Sequence, residues 1–327
     1  MIVEQVRDVV RRGGLLLPTH PNDLPTRPVV AMLSGGRDSV CLLDLAVALR
    51  GEGSVRALHV NYGLRGAESE ADERHCATLC DQLGVELEIV RASRGQGETG
   101  NLQAWARDVR YGAAIELAER EDALVAAGHT ASDQVETILY RLAASPGRRA
   151  LLGMKAEEGR LVRPLLGVTR EQTGAYCQAR GLRWREDESN DSGVYARVRV
   201  RHGLGKALRE VHPAAEANVL RTAQLLREET ELLDSLVADT LQGCRSIALA
   251  RLEELEGALA RLVVVSLAEQ AAGTYVPQAG DRVEEILELG RRAGSGSAGG
   301  SDLHVGGNVS ARIEDGRLSM VRLPPRG

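Results

Sequence analysis

Phenylalanine does not occur in the 327 residues, and Lys155 and Lys206 are the only lysines among 41 basic residues. The first absence leaves Leu, Val and Ala to fill the interior. Both absences point to a compositional bias of the source and not to a function. No apolar run approaches the roughly 20 residues that a membrane-spanning helix needs, which excludes a membrane partner. Arg7, Asp8, Arg11 and Arg12 are not followed by a long apolar segment and a cleavage site, so no secretory signal is expected. Cys41, Cys76, Cys80, Cys177 and Cys244 include no C-x-x-C pair. An odd set without paired spacing excludes a disulfide framework or zinc site and reads as reduced thiols in the cytoplasm. A basic excess is missing too. The net charge of -5 excludes broad, nonspecific nucleic-acid binding but permits a local basic surface.

What is present describes a globular protein: 43% hydrophobic and 27% charged residues, in a chain long enough for about two domains. The densest information lies in Ser34-Gly35-Gly36-Arg37-Asp38-Ser39, between the apolar run Val29–Leu33 and the amphipathic run Val40–Leu49. Strand, glycine turn and helix in that order form a phosphate cradle. The glycines let backbone N–H groups approach an anion, and the helix N-terminus adds unpaired donors. Ser34 and Ser39 can donate hydroxyls to phosphate oxygens. No G-x-x-x-x-G-K-[ST] occurs, so no lysine reaches a γ-phosphate. Asp38 stands where that lysine chemistry would want a cation, which suits Mg²⁺ or a substrate amine.

Val29–Leu33, Val55–Val60, Val85–Val90 and Ala123–Ala127 read as strands, with helical periodicity over 38–50, 69–83 and 101–121 between them. This alternation predicts an α/β fold, a Rossmann-like parallel sheet with helices on both faces. Leu161–Leu166 adds a further strand, followed by a helix at 170–180. Ahead of the sheet, residues 1–27 read as a short helix and a Pro-rich loop. The pattern changes near 205. A long helix from Pro213 to Leu241, shorter ones near 251–271 and 281–292, and short strands over 302–323 with an Asp315-Gly316 turn make 206–327 a mainly helical second domain with a small β-hairpin. Residues 28–205 are expected to form one domain, which carries the Ser34–Ser39 loop.

Ligands in such sheets bind beyond the carboxyl ends of the strands, and the other informative segments sit there. His59-Val60-Asn61-Tyr62-Gly63-Leu64-Arg65 ends the second strand, where Arg65 can reach an anion or remain part of a polar surface turn. Gly128-His129-Thr130-Ala131-Ser132-Asp133-Gln134-Val135-Glu136-Thr137 ends the fourth strand and opens a helix. Asp133 and Glu136 share one helix face and can hold Mg²⁺ or an ammonium group, with His129 toward a phosphate. Taken alone, the segment also reads as an ordinary capped helix start, with Ser132 or Thr130 as N-cap. Arg107 and Arg110 share a helix face with Tyr111. The densest basic cluster runs from Tyr195 through Arg197, Arg199, Arg201 and His202 to Lys206 and Arg209, with Trp184 nearby. It can grip a nucleic-acid backbone and stack a base, or serve as a charged connector. Two G-x-G-x-x-G matches, Gly95–Gly100 and Gly294–Gly299, lack the tight strand-to-helix turn of a dinucleotide site.

The Ser34–Ser39 loop resembles that of the N-type ATP pyrophosphatases, which cleave ATP between its α- and β-phosphates. With His59–Arg65, Arg107–Tyr111, Gly128–Thr137 and Asp187–Arg201 in the same order, residues 28–210 resemble the tRNA(Ile)-lysidine synthetases. The resemblance implies an adenine-nucleotide α-hydrolase-like fold and a two-step ligation. ATP adenylates C2 of the wobble cytidine in a CAU anticodon and pyrophosphate leaves. The ε-amine of free L-lysine then displaces AMP to give lysidine. ATP and Mg²⁺ are the implied cofactors and tRNA(Ile) the implied partner; a homodimer is left open.

The resemblance assigns Ser34, Gly35, Gly36, Arg37, Asp38 and Ser39 to the ATP phosphates. His59 and Val60 go to the adenosine, and His129 and Arg201 to phosphate or adenylate. Asp38, Asp133 and Glu136 go to lysine, with Mg²⁺ on Asp38 and Asp133, and Arg110 to the lysine carboxylate. Arg65, Arg148, Arg149, Tyr195, Arg197, Arg199 and Lys206 are the expected RNA contacts. Tyr62 stands where the family often has His, and Val198 where it often has Asn. In the 143–150 segment only Gly147 keeps the family's glycine pattern. Two rivals use the same loop differently: a tRNA thiolase, which needs paired cysteines, and a non-catalytic tRNA-binding protein, which needs no carboxylates.

Overall fold

A computed structural model of the chain describes residues 1–16, 27–94, 100–144, 147–186, 199–293 and 301–324. The chain divides into two compact units, Met1–Ala144 with Leu151–Arg221, and Ser145–Ala150 with Thr222–Gly327.

The first unit is built on six strands: β1 (Val29–Met32), β2 (Val55–Asn61), β3 (Glu86–Arg91), β4 (Leu124–Ala126), β5 (Glu157–Glu158) and β6 (Leu161–Val162). Their order is β3-β2-β1-β4-β6-β5, parallel except for the β5–β6 pair. Its helices are α1 (Ile2–Arg12), α2 (Arg37–Arg50), α3 (Ala67–Leu83), α4 (Leu102–Arg120), α5 (Ala131–Ala144), α6 (Arg170–Ala179) and α7 (Gly205–Val211), the last preceded by a π turn at Val200–Leu204.

Strand β1 is buried throughout, as a central parallel strand covered on both faces must be. Val29 and Ala31 join one core with residues of α1, α2, α3 and α6, whereas Val30 and Met32 join the other with Ala114, Leu117 and Ala118 of α4. The chain moves outward from β1 through β2 to β3, then crosses by α4 to β4 on the other side of β1. Strand order therefore reverses between β1 and β4. That opens a crevice at their carboxyl ends, where the loops 33–36 and 127–130 emerge.

The strand expected over Leu161–Leu166 stops at Val162. Pro164 has no N–H to continue the ladder, and Arg163 turns inward to donate to the Lys155 carbonyl. Thr169 then starts α6 with a capping box to Gln172.

The second unit contains α8 (Ala215–Leu241, its first turns belonging to the first unit), α9 (Leu249–Glu254), α10 (Gly257–Ala272), a 3₁₀ turn at Pro277–Arg282 and α11 (Val283–Ala293). The helix expected over 251–271 is two helices, broken at Leu255 and Glu256. The terminal hairpin is part of a larger antiparallel sheet, β7 (Ser246–Ala248), β8 (Ser301–Gly306), β9 (Val309–Glu314) and β10 (Arg317–Arg322), in the order β7-β10-β9-β8. Asp315 and Gly316 make the β9–β10 turn with φ of 49° and 69°, the type I′ geometry that matches strand twist. Val263, Val264, Leu267, Ile286, Val309 and Leu318 fill the interior. Among the described residues, no helix is long and apolar enough to cross a membrane.

Candidate active site

The loop after β1 is held by its own polar groups. Leu33 still pairs with β2, its N–H donating to Leu58 O at 2.8 Å. Gly35 then turns with φ of 83°, where a side chain would be strained and would meet Cys76 Sγ at 3.3 Å. The Ser39 hydroxyl donates to Gly36 O at 2.8 Å and lies 3.1 Å from the Ser34 hydroxyl. Arg185 N–H closes the loop on Gly35 O at 3.0 Å. Gly36 caps α2 without a side-chain bond, so the helix end keeps its anion-binding character.

Across the crevice, Thr130 and Asp133 cap α5 reciprocally. Thr130 N–H and its hydroxyl both donate to Asp133 Oδ2 at 2.8 Å. Asp133 N–H lies 3.4 Å from the Thr130 hydroxyl. The capped-helix reading of this segment therefore holds. The cap fixes the Asp133 side chain, leaving Oδ1 to face the crevice groups.

Asp38 at the start of α2 and Glu136 one turn beyond Asp133 complete a cluster that sequence reasoning gave no centre. Its centre is Arg170, the first residue of α6. The Arg170 guanidinium reaches Asp133 Oδ1 at 2.9 Å, Glu136 Oε1 at 3.2 Å and Asp38 Oδ2 at 3.6 Å. Arg201 comes from the π turn, with Nε 2.7 Å from Glu136 Oε1 and Nη2 3.3 Å from Oε2. Thr173 donates to Asp38 Oδ1. Burial alone would push the Asp133 carboxyl up, but the Arg170 charge, the two Thr130 donors and His129 hold it below its ordinary value. Burial likewise opposes the Arg170 charge, and the three carboxylates outweigh it, so its value is raised. One signal for Arg170 was available: a cation in the first turn of a helix opposes the helix dipole and needs a reason to be there.

Mg²⁺ prefers one or two carboxylates with water and phosphate oxygens. Both Asp133 oxygens already accept hydrogen bonds, and a guanidinium stands between Asp133 and Asp38. Among the described residues, no group of three His, Cys, Asp or Glu is arranged to hold a metal ion. The expected Asp38 and Asp133 metal site does not fit this arrangement.

Other expected site residues fall into distinct places. His59 is buried at the end of β2, its Nδ1 2.9 Å from Leu33 O. A carbonyl only accepts, so Nδ1 is the donor, and among the described residues Nε2 has no hydrogen-bond partner. The Val60 side chain lies in the core on the α4 side. Arg37 crosses Gly174 of α6. Arg110 sits on α4 with its guanidinium 5.6 Å from the Tyr111 ring centroid. Among the described residues, no hydrogen bond or ion pair joins Arg110 to Asp38, Asp133 or Glu136. Tyr62 packs edge-on against Trp105, and its hydroxyl donates to Ala106 O.

Of the expected RNA contacts, Arg65 is paired with Asp72, which also takes Arg185. Arg199 is exposed at the π turn, and the Lys206 ammonium is exposed, 3.9 Å from Glu210. Tyr195 and Arg197 lie outside the described residues. Arg148 and Arg149 belong to the second unit, where Arg148 pairs with Asp234 at 3.1 Å and Arg149 with Glu269 at 2.6 Å. The Arg149 guanidinium also lies 5.6 Å from the Tyr275 ring centroid.

Cys41, Cys76, Cys80 and Cys177 are buried, and Cys244 is exposed. Burial, with Asp81 nearby, pushes the Cys80 thiol up to about 12, and burial raises Cys76 further. Such thiols are poor nucleophiles.

The PP-loop domain family matches residues 17–208. The chain is 40% identical over 210 residues to a tRNA(Ile)-lysidine synthase of Pseudomonas fluorescens, covering 62% of this chain and 47% of the relative. It is 36% identical over 348 residues to the tRNA(Ile)-lysidine synthase of Symbiobacterium thermophilum, covering 99% of this chain and 70% of that one. The chain thus spans about half the length of several curated relatives it matches. Among solved structures, the U34-tRNA thiolase NcsA of Methanococcus maripaludis superposes with a TM-score of 0.56 at 19% identity, covering 69% of this chain and 79% of that one. At that identity the likeness concerns the fold alone. From a PP-loop domain over more than half its length and a match along nearly all of it, the chain belongs to the tRNA(Ile)-lysidine synthase family.

Proposed function

We propose that the protein joins free L-lysine to C2 of the wobble cytidine of an isoleucine tRNA with a CAU anticodon, in the cytoplasm, at the expense of ATP. The observation that carries the reading is the convergence of three carboxylates at the crevice beside the phosphate loop. A nucleotide site alone would need none of them. A cationic second substrate explains why they are gathered there.

In the first step the C2 oxygen of cytidine attacks the α-phosphorus of ATP, and the bond to pyrophosphate breaks. The N-terminus of α2, with the Gly35–Gly36 backbone and the Ser34 and Ser39 hydroxyls, receives the leaving phosphates. Mg²⁺, when bound with ATP, would supply neutralisation of phosphate charge. Arg201 and His129 serve as partners for the adenylate. In the second step the lysine ε-nitrogen attacks C2, the C2–O bond breaks, and AMP leaves with that oxygen. The amine must be neutral to attack, so the ammonium first yields a proton to a carboxylate of the cluster. Arg65, Arg199 and Lys206 of the first unit supply backbone contacts for RNA, joined by Tyr195 and Arg197. Residues 206–327 offer further tRNA contact, with Arg148 and Arg149 beside them.

The buried, raised thiols speak against a thiolase, and the intact carboxylate set speaks against a mere RNA-binding protein. The deciding assay incubates the protein with ATP, Mg²⁺, radiolabelled lysine and the CAU-anticodon isoleucine tRNA. Label passes to the RNA and AMP accumulates; RNA that binds but stays unlabelled would sink the reading.

A further inference from the structure

One peptide of the phosphate loop is held from outside the loop. Arg185 N–H donates to Gly35 O at 3.0 Å. The Gly35–Gly36 peptide is trans, so its N–H points opposite to its carbonyl. With that carbonyl pinned to Arg185, Gly36 N–H turns into the loop, 3.4 Å from the Ser34 hydroxyl. The Ser34 hydroxyl in turn lies 3.1 Å from Ser39 Oγ. The inner face therefore gathers one N–H and two hydroxyls, the donor set of an anion nest.

The loop itself does little to fix this orientation. A peptide between two glycines rotates at small steric cost, and the inward contact of 3.4 Å is long for a hydrogen bond. Turned over, the same peptide would aim the Gly35 carbonyl oxygen at a phosphate, a repulsive dipole in place of a donor.

Arg185 is anchored in its turn. Its Nε reaches Asp72 Oδ1 and its Nη2 reaches Glu68 Oε2, each at 2.5 Å. Asp72 is the better sheltered anchor, its side chain 13% exposed against 66% for Glu68. Asp72 Oδ2 takes Arg65 Nη2 at 2.5 Å, so both oxygens are engaged by arginines. Asp72 also stands on the part of α3 that walls the loop: a Cβ on Gly35 would lie 3.3 Å from Cys76 Sγ, 3.4 Å from His75 Cδ2 and 3.9 Å from Asp72 O.

We propose that Asp72 and Arg185 are positioning residues for the phosphate loop: the Asp72 carboxylate fixes Arg185, whose backbone N–H keeps the Gly35–Gly36 peptide turned with its donor toward the ATP phosphates. The inference rests on the loop receiving ATP, as in the proposed function. Both residues act through the Gly35 carbonyl and not on the nucleotide.

Calorimetric titration of the full chain with ATP and, separately, with adenosine tests this, because adenosine lacks the phosphates. R185A keeps the backbone N–H and loses its anchor; its Kd for ATP rises at least about fivefold while its Kd for adenosine stays within about twofold. D72N, which keeps the shape of the side chain without the charge, shows the same split. R185K, which retains a cation for Asp72, recovers part of the loss. Because the two residues act through one hydrogen bond, the double variant D72N/R185A loses no more than the worse single variant. Hydrogen exchange reads that bond directly: the Arg185 amide exchanges at least about tenfold faster in D72N. Thermal melts confirm folding, and where R185A does not fold, D72N carries the same expectation. Unchanged ATP affinity in a folded R185A would overturn the proposal. So would equal losses toward ATP and adenosine, which would make the pair a brace of the whole site, or additive losses in the double variant, which would make the two effects independent. A chain that shows the expected split but incorporates no lysine overturns the ligase reading alone; working incorporation beside an unaffected R185A overturns this inference alone.

Discussion

A Cβ placed on Gly128 would stand 3.2 Å from the carbonyl oxygen of Asp38 and 3.3 Å from the Ser39 nitrogen. The end of β4 and the first turn of α2 therefore meet backbone to backbone. No flexible side chain is available there to give way. The contact sets the width of the crevice between the phosphate loop and the Asp133 loop, because β1 and β4 are direct neighbours beneath it.

Replacing Gly128 by Ala is expected to push the first turn of α2 outward. Overpacking of this kind costs about 1–3 kcal/mol. ATP affinity falls by at least about fivefold, equivalent to about 1 kcal/mol, and the melting temperature drops with it. Calorimetric titration with ATP and a thermal melt check both. Unchanged affinity would show that the phosphate loop does not depend on this approach.

Asp133→Asn should keep ATP binding and lose lysine incorporation, since the side chain keeps its shape and loses its charge. The same variant reports on pH. The Asp133 carboxyl is held below its ordinary value in the folded protein. Its contribution to stability is thus fully present above the unfolded value of about 3.9 and is lost as pH falls through the lower, folded value. Melting temperatures followed down from neutral pH should fall more steeply below about pH 4 in the wild type than in the Asn variant. Parallel curves would mean that the Arg170 and Thr130 contacts do not stabilise the ionised form.

The thiols separate the proposed ligation from sulfur chemistry. Cys244 is exposed, and the other four are buried, Cys76 and Cys80 with raised thiols. Iodoacetamide at mildly alkaline pH should modify Cys244 rapidly and leave Cys41, Cys76, Cys80 and Cys177 until the protein is denatured. The Cys76→Ser variant should still incorporate lysine. Rapid labelling of Cys76 or Cys80 would reopen the thiolase reading.

Arg149 and Glu269 are paired at 2.6 Å, with Glu269 only 17% exposed. Removing the guanidinium leaves a half-buried carboxylate short of its partner, which costs about 1–3 kcal/mol. R149A and E269Q are each expected to lower the stability of the second unit. Their double variant should lose less than the sum of the two. A denaturant-unfolding cycle measures the difference, and strict additivity would remove the pair from the account.

Much of the first unit was legible because its signals are local. The run Val29–Leu33 alternates its side chains between two cores, and the glycines behind it have one use at a strand-to-helix turn. The Gly128–Thr137 segment announced both its cap and its carboxylates within ten residues. The strand expected to reach Leu166 and the helix expected to run unbroken from 251 failed where one residue's chemistry overrode the pattern, as Pro164 does after β6. Strand β7 was not legible at all: three residues carry no period, and they form a strand only because Arg317–Ser319 pair with them.

The sequence by itself determined the strand-to-helix loop at Ser34–Ser39, the place expected for a nucleotide, and the carboxylates Asp38, Asp133 and Glu136. A turn, a helix start and a missing Walker lysine are short-range facts. Only the tertiary structure decided what those carboxylates face. Arg170 lies 132 residues after Asp38 and Arg201 lies 65 after Glu136, and no local pattern joins them. The reversal of strand order between β1 and β4, and the docking of α6 beside α2, bring the five charges together. The same packing leaves Arg110 on α4 among tyrosines. Charge complementarity is a property of positions in space, and chain topology sets those positions.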